Sequence, residues 1–244
     1  MTYLLLGGPS GLGRSVAEGL AARGEDLVVV SSDQRDAHAQ AADLTLRFGV
    51  RAEHVALDLA HRDLTFDALD LALGRLREVR GVIVTAGASV DGDLVGCIER
   101  SAEVILRVNF LGPCLVVEHL LPVLAASKSS LVVGIGSVAA CRGRRQNVAY
   151  SAAKRALQSY FESLRHTVGQ EGTRVHFYTA GYLDTNLSFG RRLPLPAASP
   201  HRFARRILSN LDQPSGCHYY PRYWRGLCAL IRIMPWALYR RLRH

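Results

Sequence analysis

The chain has 244 residues, 48% of them hydrophobic, and a formal net charge of +9. That is enough apolar chain for one substantial core, and with no Pro/Gly/Ser-rich linker to divide it, a single domain is expected. No uninterrupted apolar run approaches the ~20 residues that span a bilayer, and Met1 leads into a strand-like segment without a basic leader, so a cytoplasmic protein is expected.

The five cysteines (Cys97, Cys114, Cys141, Cys217, Cys228) are odd in number and lack any C-x-x-C, which argues against a disulfide framework or a zinc site and for reduced, structural thiols. The positive charge is local. Residues 1–184 carry 19 Lys+Arg against 20 Asp+Glu, whereas residues 185–244 carry 11 Arg and only Asp212. Such a quarter suits an anionic substrate, a membrane surface or nucleic acid; without basic-aromatic repeats or zinc spacings, nucleic acid is the weakest of the three.

In chain order, Tyr3 to Leu6, Leu27 to Val30, Ala52 to Leu57, Val82 to Val84, Leu131 to Ile135 and Val175 to Tyr178 read as buried strands separated by helical patterns. The alternation implies βαβ units and an α/β fold: a doubly wound parallel sheet (Rossmann-type) with its ligand crevice at the carboxyl ends of the strands. After the first strand comes Gly7-Gly8-Pro9-Ser10-Gly11-Leu12-Gly13, opening a helix near Arg14. Glycines let backbone amides approach a pyrophosphate, and the helix N-terminus favours its charge. The second strand ends at Ser31-Ser32, with Asp33 and Arg35 beyond. An acid at this tip would bind ribose hydroxyls; two hydroxyls with Arg14 and Arg35 in reach favour NADP over NAD. Asp58-Leu59, at the end of the third strand, could contact adenine, with a helix cap as the competing reading of Asp58.

Ser137 closes the fifth strand, and thirteen residues later Tyr150-Ser-Ala-Ala-Lys154 begins. Residues four apart share a helix face, so a phenol and a cation can share a site as a proton-transfer device. From about Leu187 to Ser199 the texture changes, with Gly190, Arg191, Arg192, Pro194 and Pro196, then Pro200, outside regular elements. Following the last strand read here, this segment is placed to act as a substrate lid. Residues 222–244 read as an extension to a domain of residues 1–221. Tyr223, Trp224, Leu227, Leu230, Ile231 and Met234 fall on one helical arc, with Arg222, Arg225 and Arg232 opposite and Pro235 interrupting. This basic amphipathic pattern suits an anionic membrane surface; packing on the body or on another subunit is the alternative.

The Gly7-to-Gly13 loop, Asp58-Leu59, Thr85-Ala86-Gly87, Asn109 in Val-Asn-Phe-Leu-Gly-Pro, Ser137, Tyr150 with Lys154, and Gly181-Tyr182-Leu183-Asp184-Thr185 stand in one order. In that order the chain resembles the short-chain dehydrogenase/reductase family over nearly its whole length. The resemblance implies hydride transfer between a nicotinamide cofactor and a carbonyl or secondary alcohol, with Tyr150 as general acid/base, Ser137 orienting the carbonyl and Lys154 lowering the phenol pKa while holding ribose. It implies Asn109 as relay support through a water, Ala86, Gly87, Leu183 and Thr185 as further cofactor contacts, and a homo-oligomer. Four positions depart from the pattern: Leu6, Val84-Thr85, Gly136 and Ala180.

With Ser137-Val-Ala-Ala-Cys-Arg-Gly-Arg-Arg145, the tail is most similar to the branch of decaprenylphosphoryl-2-keto-ribose reductases and related cell-envelope sugar enzymes, which work with a flavoprotein oxidase. That implies a phosphorylated or polyprenyl-linked ketosugar, met by Arg142, Arg144, Arg145, Arg191 and Arg192 at the inner face of the membrane. A reductase of small lipophilic ketones or steroid-like alcohols is the alternative, and a non-catalytic cofactor sensor is the alternative from another class.

Overall fold

The computed structural model describes residues 1–241 apart from 101, 128, 186, 187, 189, 191 and 192, and apart from the side chain of Arg100. Arg191 and Arg192, and the start of the expected lid at Leu187, lie outside the described residues. The chain runs β1 (Thr2–Leu6), α1 (Gly11–Ala21), β2 (Asp26–Ser31), α2 (Gln34–Phe48), β3 (Ala52–Ala56), α3 (Asp67–Gly74) and β4 (Val79–Val84). It continues through α4 (Ala102–Leu106), α5 (Gly112–Ala125), β5 (Leu131–Ser137), α6 (Val148–His166) and β6 (Arg174–Ala180). The last elements are α7 (Pro200–Leu208), β7 (Gly216–Tyr220), α8 (Trp224–Ile233) and α9 (Trp236–Tyr239).

One sheet of seven parallel strands has the order β3-β2-β1-β4-β5-β6-β7. Central strands such as Thr-Tyr-Leu-Leu-Leu are buried along their whole length because helices cover both faces. On one face α1, α2 and α7 pack Val16, Leu20, Leu44, Phe203 and Ile207 against the sheet; on the other, α3, α5 and α6 contribute Leu69, Val117, Leu120, Leu157 and Phe161. Chain order reverses between β1 and β4, so the loops after these two strands part and leave a crevice at their carboxyl ends.

All six expected strands form. The seventh, Gly-Cys-His-Tyr-Tyr, escaped the pattern because an edge strand of small, polar and aromatic residues has no aliphatic run to mark it. Pro200 also differs from expectation: it opens α7, where Ser199 caps the helix and the missing proline N–H costs nothing. By length and composition the continuous helix 102–125 could cross a membrane, but Val116, Val117, Leu120 and Leu124 bury one of its faces in the core.

The C-terminal segment breaks at Pro235 as expected, but its apolar arc is divided. Trp224 and Cys228 are buried, with Leu227 and Ile231 half-buried, against Val138, Cys141, Tyr182, Leu195 and Tyr219. Tyr223 and Leu230, expected on that same face, are exposed. A helical projection finds the apolar arc but not the narrower strip of it that the body covers.

Candidate active site

Around the crevice, the loop after β1 takes the shape its glycines allow. Gly7 has φ +88, and a Cβ on Gly13 would fall 2.2 Å from the carbonyl oxygen of Gly7, so helix α1 starts in contact with the turn that feeds it. Ser10 caps α1, its hydroxyl accepting from the Gly13 N–H at 3.3 Å. Thr85, a departure from the expected sequence pattern, donates its hydroxyl to Leu6 O and Gly7 O at 2.9 and 3.2 Å and ties the two parting loops together.

Ser137 ends β5 and starts a tight turn over Val138–Cys141, its hydroxyl accepting from the Ala139 N–H at 3.1 Å. Helix α6 follows, carrying Tyr150 and Lys154 one turn apart. The Lys154 ammonium, 4% exposed, donates to Ile135 O at 3.1 Å and Ala86 O at 3.4 Å. No carboxylate pairs with it among the described residues, and burial pushes its pKa down to about 8. Asn109 sits in a wide helical turn, Arg107–Leu111, between α4 and α5. Fully buried, it donates to Ala88 O and Ile105 O at 2.8 and 2.9 Å and accepts from the Ala88 N–H. A Cβ on Gly87 would meet Asn109 Oδ1 at 3.2 Å and Lys154 Nζ at 3.4 Å, so a single glycine separates the two.

One cleft of about 880 Å³ is lined by Ser10, Gly11, Leu12, Ala86, Gly87, Ser137, Tyr150, Lys154, Leu183 and Thr185. Asn109 lies behind its wall; Gly7, Pro9 and Gly13 shape the loop at its floor. Ser31, Ser32, Asp58 and Leu59 stand outside this lining, at the ends of β2 and β3 on the same side of the sheet. No helix follows Asp58; its carboxylate accepts from the Ala60 N–H at 3.0 Å within a turn, which replaces the helix-cap reading.

A family model described as short chain dehydrogenase matches residues 2–193. The chain belongs to the short-chain dehydrogenase family. This short-chain dehydrogenase is therefore an NAD(P)-dependent oxidoreductase of carbonyls and alcohols. It is 29% identical to an uncharacterized oxidoreductase of Bacillus subtilis over 187 residues, 76% of either chain. It is 30% identical to a 3-oxoacyl-acyl-carrier-protein reductase of Bos taurus over 189 residues, 75% of this chain and 76% of that one. A short-chain dehydrogenase from Sphingobium yanoikuyae, solved in complex with NADPH, superposes with a TM-score of 0.79 at 24% identity over 97% of both chains.

The cleft suits a nicotinamide dinucleotide. The close approach of Gly13 to Gly7 leaves backbone, not side chain, facing the start of α1, which fits a pyrophosphate at a helix N-terminus. When bound, the cofactor supplies or accepts hydride; Gly11 and Leu12 would hold its phosphates and Lys154 its ribose.

Asp93 is the functional residue that the sequence reading missed. It is 3% exposed, and its carboxylate accepts from the Ala149 and Tyr150 N–H groups at 2.8 and 3.0 Å. Asn147, the cap position, lies at φ 57 with no side-chain bond, so Asp93 caps the tyrosine-bearing helix from a loop more than fifty residues upstream. The only sequence signal is Asp91-Gly92-Asp93, which reads as an ordinary turn.

One departure, Gly136, and the neighbour of another, Gly181, have steric partners. A Cβ on Gly136 would fall 2.4 Å from Phe177 Cζ, so the side chain that a serine would add there has no room. Beside Ala180, a Cβ on Gly181 would fall 1.9 Å from Trp224 Nε1: the indole from α8 occupies that space and packs edge-to-face on Tyr182, which lines the cleft.

Among the arginines expected at the mouth, Arg142 faces elsewhere. It donates to Ile231 O at 2.9 Å and Met234 O at 2.5 Å and lies over the Tyr239 ring at 4.2 Å, anchoring the end of α8. Arg145 is exposed, whereas Arg144 lines the cleft, its Nε buried and without a hydrogen-bond partner among the described residues.

Proposed function

We propose that this enzyme is an NADPH-dependent reductase of a ketone bearing a phosphate, a ketosugar on a polyprenyl or similar lipid being the best fit. The observation that carries the anionic substrate is Arg144. A guanidinium in a cleft wall, with a sheltered N–H and no carboxylate in ion pairing among the described residues, suits a phosphate oxygen at the substrate end of the site. Asp93 lines the same cleft, but the helix amides of Ala149 and Tyr150 occupy its carboxylate.

In this reading Ser137 donates to the ketone oxygen and Tyr150 protonates the alkoxide that hydride addition leaves. An unperturbed phenol, with a pKa of about 10, is a poor base for the reverse direction; the Lys154 ammonium, one helical turn away, is the cation that would favour phenolate. Asn109, with its amide bonded to the Ala88 backbone, holds the wall beside Lys154 through which a water relay would run. NADP is favoured over NAD because Asp33, the acid near the β2 tip, caps α2 by accepting from the Arg35 and Asp36 N–H groups at 2.8 and 3.2 Å. That leaves the Ser31 and Ser32 hydroxyls and the exposed Arg14 and Arg35 as the groups that would meet a 2′-phosphate.

The exposed Leu230, Ile233, Trp236 and Leu238, beside Arg222, Arg225, Arg240 and Arg241, suit an anionic bilayer that presents the lipid-linked substrate. Because a ketosugar of this kind comes from oxidation of an alcohol, a flavoprotein oxidase is the matching partner. Exposed Leu111, Leu115 and Val123 on the long helix give a homo-oligomer its apolar face.

The deciding assay follows NADPH and NADH oxidation with a polyprenyl-phospho-ketosugar, a 3-oxoacyl thioester, and uncharged ketones including a steroid. Turnover of the phosphosugar, with Arg144→Gln raising its KM at least tenfold and leaving uncharged ketones unchanged, is expected. Equal turnover of simple ketones with none of the phosphosugar would favour the lipophilic-ketone reading, for which Val90, Leu94, Val138 and Leu193 supply an apolar cleft wall.

A further inference from the structure

Two cysteines from distant parts of the chain meet behind the active site. Cys141 ends the turn that Ser137 begins, and Cys228 lies on the inner face of α8. Both are free thiols, 6% and 2% exposed, at the centre of the apolar contact between the C-terminal extension and the body. Cys141 Sγ donates to Cys228 O at 3.2 Å, and the two residues pack in one buried cluster. None of Cys97, Cys114 and Cys217 has a second thiol bonded to it among the described residues.

We propose that Cys141 and Cys228 are a redox-active pair whose reversible disulfide fastens the C-terminal extension to the turn carrying the active-site serine. Without it, the attachment includes the Trp224 indole on Gly181, the Arg142 bonds to Ile231 O and Met234 O, the Tyr239 hydroxyl bond to Gly143 O, and the small apolar contact around the cysteines. Cys141 is the attacking thiol: its neighbour Cys228 and the Arg232 and Arg155 charges hold its pKa below that of an ordinary thiol despite burial.

Hydrogen peroxide, small enough to reach sheltered sulfur, is the oxidant. The Cys141 thiolate attacks one peroxide oxygen; the O–O bond breaks, an S–OH bond forms, and hydroxide leaves to become water by taking up a proton. The Cys228 sulfur then attacks the Cys141 sulfur; the S–O bond breaks, S–S forms, and the hydroxyl leaves as water with the Cys228 proton. Two thiols lose two electrons, and one peroxide is reduced to two waters. A dithiol reductant reverses the step.

The test uses the full-length protein, treated with peroxide, alkylated, digested and read by mass spectrometry. A peptide joining Cys141 to Cys228, lighter by two hydrogens than its reduced halves, should form and disappear with dithiothreitol. Because the bond closes a long loop, Tm should rise by about 5–10 °C on oxidation, and trypsin should cut at Arg225 and Arg232 at least tenfold more slowly. Cys228→Ser should abolish the crosslink and the Tm rise, and Cys97→Ser should keep both. Wild-type protein whose Cys141 and Cys228 stay alkylatable, or advance to sulfinic acid without a crosslink, overturns the proposal even if no variant folds. No readout depends on turnover, so this result stands apart from the substrate assignment.

Discussion

Helices α6 and α8 both contact the turn that follows Ser137, and their starts are held in different ways. The start of α6 is fixed by polar groups: Asp93 accepts from two of its amides, and Lys154 reaches the carbonyls of Ile135 on β5 and Ala86 in the loop after β4. The start of α8 is fixed mainly by packing, with an indole against a glycine and Cys228 against Cys141 in one apolar cluster, and a wide apolar strip is left in solvent. Buried charge that must be held at one position needs directional partners, because in a low-dielectric setting an unmatched group is costly. A helix that meets a partner can stay half-covered. The contrast leaves α6 held by directional bonds at its start and α8 with an exposed apolar strip.

The sharpest way to break this division is at Tyr150. Tyr150→Phe should lower kcat by about 10²–10⁴-fold, with NADPH affinity by fluorescence titration within about threefold of wild type, because in the proposed mechanism the phenol acts on the substrate while Lys154 and the glycine loop hold the cofactor. Turnover retained within tenfold would remove the tyrosine from the proton path.

Asp93 tests whether α6 is held by polar bonds. Asp93→Asn exchanges charge-assisted bonds for neutral ones and should cost about 2–3 kcal/mol, a fall in Tm of about 4–12 °C, together with a lower kcat as Tyr150 shifts. Asp93→Glu should restore part of both; unchanged calorimetry in the Asn variant would refute the capping role.

A subtler effect follows from Lys154. Burial sets its folded pKa at about 8, below the 10.5 of free lysine. The folded protein therefore loses this proton first, and the stability cost of the buried charge, complete below pH 8, fades as pH rises from 8 toward 10.5. Over the same rise the phenol loses its cation, so kcat/KM should fall on the alkaline side near pH 8. Lys154→Met should show neither the stability gain nor that alkaline limb, as read by pH-dependent melting and steady-state rates.

The smallest effect on stability belongs to α8 and its continuation. Ile233→Ser with Trp236→Ser removes two exposed side chains and should change stability by no more than about 0.5 kcal/mol each. It should nevertheless reduce co-sedimentation with phosphatidylglycerol vesicles severalfold while leaving neutral phosphatidylcholine binding low throughout. Unchanged sedimentation would leave the strip as a contact between subunits.

The sequence by itself determined the alternation of strands and helices, the glycine loop and the pairing of Tyr150 with Lys154, since these rest on local spacing: period, turn chemistry and residues four apart on a helix. It also determined the basic C-terminal quarter and its break at Pro235. Only the tertiary structure decided that Asp93 caps α6, that Gly136 faces Phe177 and Gly181 faces Trp224, that Arg142 anchors α8 while Arg144 lines the cleft, and that Cys141 meets Cys228. Each of these joins residues far apart in the chain, and a one-dimensional pattern has no term for which surfaces close packing will bring together. The edge strand β7 and the half-covered arc of α8 were obscure for the same reason, because neighbours, not composition, set how much of each is buried.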